Sequence, residues 1–361
     1  MKENSTLNNP YERNVGLDIM RGAAFIMIFG GHALHLFTVM FPAIAILSHV
    51  LRNGIEVYFS LSGFLIGNII FRLFNETEHS SSNLLHFYKR RWIRTLPLYY
   101  LGIIINLIAG VFITGNYHDF SWKFLFFLQS FSETGFWFYP VSYSLCIEEW
   151  FYLLFPLLLI PSCYLFKNKV KAVIILSLMY ILAATCIRYH IFKNGDPHWD
   201  ADMRKTLLCR IDASIYGIMM AALFNGYHHL FLKYRLQLLI IGVLMFLTAV
   251  FIHMRMYNSI INYVWYFNLV PLAFALCIPW FYSFSFRAAW LNRLFTWLSF
   301  ISFAFYIIHL SPVMEVIVLF VPTNTWTSVI TAFSLFTCVS LVLAHLLHVY
   351  FEKPMMNLVK R

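Results

Sequence analysis

Apolar residues along this chain come in long runs separated by short polar breaks. Ten runs stand out, at about 17–36, 55–71, 96–113, 144–166, 170–187, 206–224, 236–252, 260–281, 298–321 and 328–349. A helix of roughly 17–25 apolar residues crosses the hydrocarbon core of a bilayer. A membrane barrel would instead alternate apolar and polar residues over segments of about ten. No such alternation is seen, so the pattern predicts an all-α polytopic integral membrane bundle of about ten transmembrane helices. The expected organisation is an N-terminal tail at 1–16, a transmembrane domain at 17–354 and a C-terminal tail at 355–361.

Composition sharpens this picture. The chain is 60% hydrophobic and only 12% charged, and its mean hydropathy is +0.70. The net charge of +10 suits loops facing anionic lipid better than a nucleic-acid partner. With the N-terminus cytoplasmic, seventeen basic residues fall on that side and eight, Arg188 and Arg210 among them, on the other; Arg21 completes the 26. Cytoplasmic loops hold the excess of Lys and Arg, so both termini are expected in the cytoplasm. The first 16 residues are polar, and no cleavable signal peptide is expected there. No soluble domain is expected beyond the last run. The six cysteines sit in or beside apolar runs without paired spacing and read as packing residues, with no metal expected. The aromatic stretch 114–143, with Trp122 and Trp137, is expected at the interface or re-entering.

The first run, LDIMRGAAFIMIFGGHALHL, carries Asp18, Arg21, His32 and His35. Arg21 and His32 are eleven positions apart. On a straight helix that spacing returns to within about 20° of one direction, with a rise of about 16 Å. Ionisable groups inside a membrane usually face a bundle interior or a wet cavity. The alternative is that Arg21 snorkels to headgroups and His32 merely packs. Asp18, one turn earlier, reads as the ion-pair partner of Arg21.

Arg91 and Arg94 share a helical face at the same end as Arg21, and guanidinium forks match phosphate oxygens. An ordinary lipid-facing basic cluster is the competing reading. Glu148 and Glu149 open the fourth run, where one would face a cavity and the other cap the helix start. The inward carboxylate would orient an acceptor hydroxyl or hold His32 in one tautomer. Arg210, Asp212, Ser302, Tyr306 and His309 are further polar groups within runs, read as helix-to-helix hydrogen bonds.

Seven stretches occur in one order: LDIMRG with His32 after it, IEVYFSLSGFLIG, RRWIRTLPLYY, YSLCIEEWFYLLFP, RIDASIYGIMMA, ISFAFYIIHL and FEKP. Together they resemble the membrane acyltransferase-3 family, which includes bacterial polysaccharide and lipopolysaccharide O-acetyltransferases. Trp150 departs from that pattern, standing where a polar residue is commoner. The resemblance implies a multi-pass protein of the bacterial inner (plasma) membrane. Its donor would be cytoplasmic acyl-CoA, with acetyl-CoA the family default, and its acceptor a hydroxyl of an extracytoplasmic carbohydrate or cell-envelope glycan. It implies His32 as the catalytic histidine, and Arg21, Arg91 and Arg94 as donor-binding residues; Glu148 joins the expected catalytic set. Membrane lipid and envelope-biosynthesis proteins are expected partners. His32 would serve as general base or as a covalent acyl carrier. A transporter or flippase of an envelope precursor is the alternative function, and the lack of a visible internal repeat counts against it.

The topology can be tested with single cysteines in a background lacking the six native ones. An impermeant maleimide should label positions in 194–199 from outside the cell and positions in 75–83 only after permeabilisation. Labelling of both loops from one side would overturn the ten-span arrangement.

Overall fold

The computed structural model describes residues 13–75, 81–115, 120–131, 138–166 and 168–358. Most of the 1–16 tail, residues 76–80 between the second and third runs, Trp137, Lys167 and the last three residues lie outside it. The described elements run α1 (Val15–His35), α2 (Ile44–Leu51), α3 (Gly54–Asn75), α4 (Ser81–Thr114), a short 3-10 turn (Trp122–Phe126), α5 (Ser142–Leu165) and α6 (Lys169–Asn194). They continue with α7 (Leu207–Arg210), α8 (Ile215–Gly226), α9 (His228–Lys233), α10 (Arg235–Arg255), α11 (Tyr266–Tyr282), α12 (Ala289–Ile308), α13 (Glu315–Phe320), α14 (Trp326–Leu347) and α15 (Lys353–Asn357). Among the described residues, ten stretches are long and apolar enough to cross a membrane. The protein is an all-α, multi-pass membrane bundle.

The structure refines the expected elements in several places. Helix α1 starts where the Asn14 side chain accepts from the Leu17 amide at 2.9 Å, satisfying a free N–H of the first turn. Helix α2 occupies what reads as a loop. Helix α4 begins at Ser81 rather than at 96, so the basic segment is itself helical. The ninth run is bent: Ser311 is extended (φ −119°, ψ 120°) between α12 and α13, beside Pro312, which has no amide hydrogen to donate. The aromatic stretch folds inward where it is described. Phe124 and Phe127 are buried, the Tyr99 hydroxyl donates to the Phe124 carbonyl at 2.8 Å, and the Trp150 indole donates to that of Phe127 at 2.8 Å. Trp150 thus pins this stretch to α5. Helix α10 lies at the periphery, with Leu236, Ile240, Leu244 and Leu247 exposed as a lipid-facing surface requires.

Arg188, counted above with the loop cations, and Arg210, which lies within a run, are both buried in the bundle. Arg188 of α6 and Arg210 of α7 are both 0% exposed. Arg188 grips Asp212 with two N–H groups, at 3.0 and 2.9 Å, and donates to the Cys209 carbonyl at 2.5 Å. Arg210 reaches across to Glu56 of α3, at 2.6 and 2.5 Å from its two oxygens. These residues surround the break between α7 and α8. Interrupted helices survive at membrane depth only where the freed backbone is buried in protein. Arg210 and Asp212 therefore do not pair with each other; each ties the break to a different helix.

Next to that break, α3 and α8 come nearly into backbone contact. A Cβ on Gly63 would fall 1.9 Å from the Ser214 carbonyl, and one on Gly217 would fall 1.9 Å from that of Ser60. Gly63 and Gly67 form a small-xxx-small stripe of the kind that lets membrane helices pack closely. Gly63→Ala must therefore push the helices apart, at a cost of about 1–3 kcal/mol or more. Gly30→Ala, whose new Cβ would meet only a Leu51 methyl at 3.2 Å, is the control. Thermal unfolding in detergent should show a lower midpoint for Gly63→Ala and little change for Gly30→Ala. Equal midpoints would mean that the close approach is not needed.

Candidate active site

Helices α1 and α12 run side by side in the same direction, and this pairing positions the site. Near the start of α1 the Arg21 Nη1 donates to Ser299 Oγ of α12 at 3.0 Å. Eleven residues on, His32 faces His309 at the end of α12, with ring centroids 5.0 Å apart and planes at 61°. Arg21 and His32 thus face the same neighbouring helix, as their spacing requires. His35 is exposed.

Around Arg21 lies a cavity of about 600 Å³. Five arginines (Arg13, Arg21, Arg72, Arg91 and Arg94) and three carboxylates (Asp18, Glu148 and Glu352) line it, so cations are in excess. A cavity with low-dielectric walls focuses such a field and attracts anions. Asp18 is the partner of Arg21, at 3.4 Å, but it also takes Arg13 and the Ser299 hydroxyl at 3.0 Å. Arg91 lies over the ring of Tyr152, 3.8 Å from its centroid. It pairs with Glu148 at 3.4 Å, and the Ser62 and Tyr152 hydroxyls donate to that same carboxylate. Planar stacking and a carboxylate on one edge hold the guanidinium in a set orientation. Arg94 opens onto the cavity with its side chain exposed.

Two expectations for the glutamates need correction. Neither caps the start of α5: that helix begins at Ser142 and has no acidic residue in its first turn. Glu148 does not contact His32 either; it belongs to the arginine cluster, because α5 turns this side chain toward α3 and α4. Glu149 is buried.

Tyr306 lines the cavity, and His32 does not. The Tyr306 hydroxyl donates to the Val141 carbonyl at 3.0 Å and shares a hydrogen bond with Ser144 at 2.6 Å. Its ring lies 5.8 Å from that of His309. Tyr306, which lines the cavity, and His309 thus form a chain of ring contacts from the arginine cavity to His32. Sequence reading missed the partners Ser62, Tyr152 and Ser299. The i, i+4 spacing of Glu148 and Tyr152 was the available signal for one of them.

At the His32 end the Ser48 hydroxyl of α2 donates to the Gly31 carbonyl at 2.7 Å, fixing α2 beside the residue before His32. A second cavity, of about 360 Å³, opens between α2 and α10, lined by His49, Asn53, His253, Tyr257 and Tyr266 among others. Nearby, Asp200 pairs with Lys205 at 2.6 Å and with Arg204 at 2.5 Å. Burial opposes ionisation there, yet the two cations hold the Asp200 carboxyl well below the usual carboxylate range. Among the described residues, no three His, Cys, Asp or Glu side chains are placed to hold a metal ion.

Comparison with known proteins places this geometry. YrhL of Bacillus subtilis (strain 168), named as a candidate peptidoglycan O-acetyltransferase, is 26% identical over 163 residues, 40% of this chain and 25% of its own length. The O-acetyltransferase OatA of Staphylococcus aureus (strain NCTC 8325 / PS 47) is 28% identical over 178 residues, 43% of this chain and 28% of its own. The peptidoglycan O-acetyltransferase OatA of Listeria monocytogenes is 30% identical over 130 residues, 32% of this chain and 21% of its own. The match thus spans about a quarter of these relatives' length. No solved structure matches. The family model for an acyltransferase domain matches residues 14–347, from the cap of α1 to the end of α14. That range takes in Arg21, Arg91, Arg94 and the His32–His309 pair together, and the chain belongs to this acyltransferase family.

Proposed function

We propose that this protein is a membrane O-acetyltransferase that moves an acetyl group from acetyl-CoA to a hydroxyl of a cell-envelope glycan. Peptidoglycan is the acceptor class to which the relatives' names point. The carrying observation is the convergence of Arg21, Arg91 and Arg94 on one cavity whose lining residue Tyr306 connects through the ring of His309 to His32. Phosphates of the donor would sit among the arginine forks, with Glu148 positioning Arg91 for them. The rise of about 16 Å from Arg21 to His32 suits an extended pantetheine arm. The arginine end is then cytoplasmic, in the bacterial plasma membrane, and both chain termini lie on that side. The smaller cavity beside α2 would admit the acceptor from the other face.

In the reaction His32 takes the proton of the acceptor hydroxyl as that oxygen attacks the thioester carbonyl. The carbon–sulfur bond then breaks, and the departing thiolate recovers the proton from His32 as free coenzyme A. A neutral imidazole does this without carrying a standing charge in the membrane. Tyr306, which lines the cavity and contacts His309, would have to shift its ring for the acyl group to pass.

The catalytic assignment is tested by complementing a deletion strain and weighing its envelope glycans for the acetyl increment, about 42 daltons per group. His32→Ala should lose transfer by about 10²–10⁴-fold in purified protein while keeping coenzyme A binding, and the strain should stay unacetylated. His35→Ala should behave as wild type. A folded His32→Ala protein that acetylates at the wild-type rate would sink the assignment.

The donor site is tested by charge-conserving changes. Arg91→Lys and Arg94→Lys keep the positive charge but lose the planar fork, and each should weaken coenzyme A binding roughly 10- to 100-fold. Calorimetry showing unchanged affinity in both variants would leave the cluster a topology signal alone.

A further inference from the structure

His309 is 0% exposed, and the reaction described above does not use it. Its Nδ1 lies 3.1 Å from the Phe305 carbonyl and 3.0 Å from the Tyr306 carbonyl. Two acceptors at one nitrogen require that nitrogen to carry a proton. In the neutral ring Nε2 is then a lone-pair acceptor. That atom is buried and has no hydrogen-bond partner in the structure. Burying an acceptor without a partner is unfavourable, so its persistence asks for a reason. The neighbouring ring that can donate is His32, at 5.0 Å between centroids. That separation suits two imidazoles joined by one N–H···N bond of about 2.9 Å.

We propose that His309 is a positioning residue whose Nε2 accepts the ring N–H of His32, so that the other His32 nitrogen carries the lone pair that works as base. This rests on the reading of His32 as the base. The stacked ring of Phe305, 4.6 Å away, and the carbonyl tether keep His309 from turning, so His32 alone adjusts. An imidazole with a fixed tautomer presents its lone pair in every molecule, whereas a free ring divides between two forms.

Asn and Gln separate the two ends of the His309 ring. His309→Asn retains a side-chain amide that reaches the carbonyl tether but places nothing where Nε2 stood. His309→Gln can put an amide oxygen near the Nε2 position and so retain an acceptor for His32. Among folded proteins of equal thermal midpoint, His309→Asn should lower kcat roughly 10- to 100-fold, as loss of an orienting partner of a working imidazole does. Its coenzyme A affinity should be unchanged, and His309→Gln should recover most of the lost rate. Equal rates in the two variants, or full activity of His309→Asn, would overturn the proposal. Nitrogen-15 spectra of the wild-type protein give a test that needs no His309 variant, with His32 assigned by its loss in His32→Ala. A single His32 tautomer coupled through its N–H to a His309 nitrogen supports the pair, and a mixture of both tautomers refutes it. Activity retained by His32→Ala would refute the base assignment alone, and the ring-to-ring coupling would then be judged separately.

Discussion

Charge held inside the membrane is the constraint on which the rest of the structure depends. An isolated guanidinium in hydrocarbon is costly, so each deep arginine needs acceptors from elsewhere in the bundle. Arg210 reaches from α7 to Glu56 of α3, and Arg188 reaches from α6 to Asp212 and the Cys209 carbonyl. Removing one member of such a pair strands the other, typically at about 3–5 kcal/mol. The pairs bind α3 and α6 to the α7–α8 break and give the Cys209 carbonyl there a donor. The close approach of Gly63 and Gly217 follows from the same arrangement, because the helices can meet only where side chains are absent.

Against that fixed scaffold the arginine cavity is polar in a different way. Its cations are only partly matched: Asp18 serves both Arg13 and Arg21, and Glu148 meets Arg91 at the long distance of 3.4 Å. Loose pairing leaves room for an anion of higher charge to displace a carboxylate, which a tight buried pair such as Arg210–Glu56 does not. The same chemical groups therefore play two roles in one bundle, set by burial and geometry rather than by residue type. The parallel course of α1 and α12 links the cavity to the histidine pair, since Arg21 and His32 each meet α12, at Ser299 and His309.

Much of this was legible in the sequence, and the reasons are physical. Hydrophobic runs of spanning length leave a helical bundle as the available solution, because lipid offers no partner to an open backbone. The spacing of Arg21 and His32 depends only on helical pitch, so their common direction could be read from numbers alone. The three-residue step from Arg91 to Arg94 was readable for the same reason once α4 carried them. Signals were also overlooked: Gly63 and Gly67 spell a close-packing stripe, and the polar groups of RIDASIYG mark a helix interruption.

What the sequence by itself determined is the set of spanning helices, the face each ionisable residue occupies on its own helix, and the seven ordered stretches that mark the family. The tertiary structure alone decided which faces meet. Glu148 went to Arg91 rather than to His32, Arg188 went inside rather than into a loop, Arg210 found its partner on α3, and the Nε2 of His309 was left buried without one. Helical periodicity sets an angle about one axis, and it is silent on how neighbouring axes are rotated and shifted. Those are settled only when every buried charge and every close backbone approach in the bundle is satisfied together.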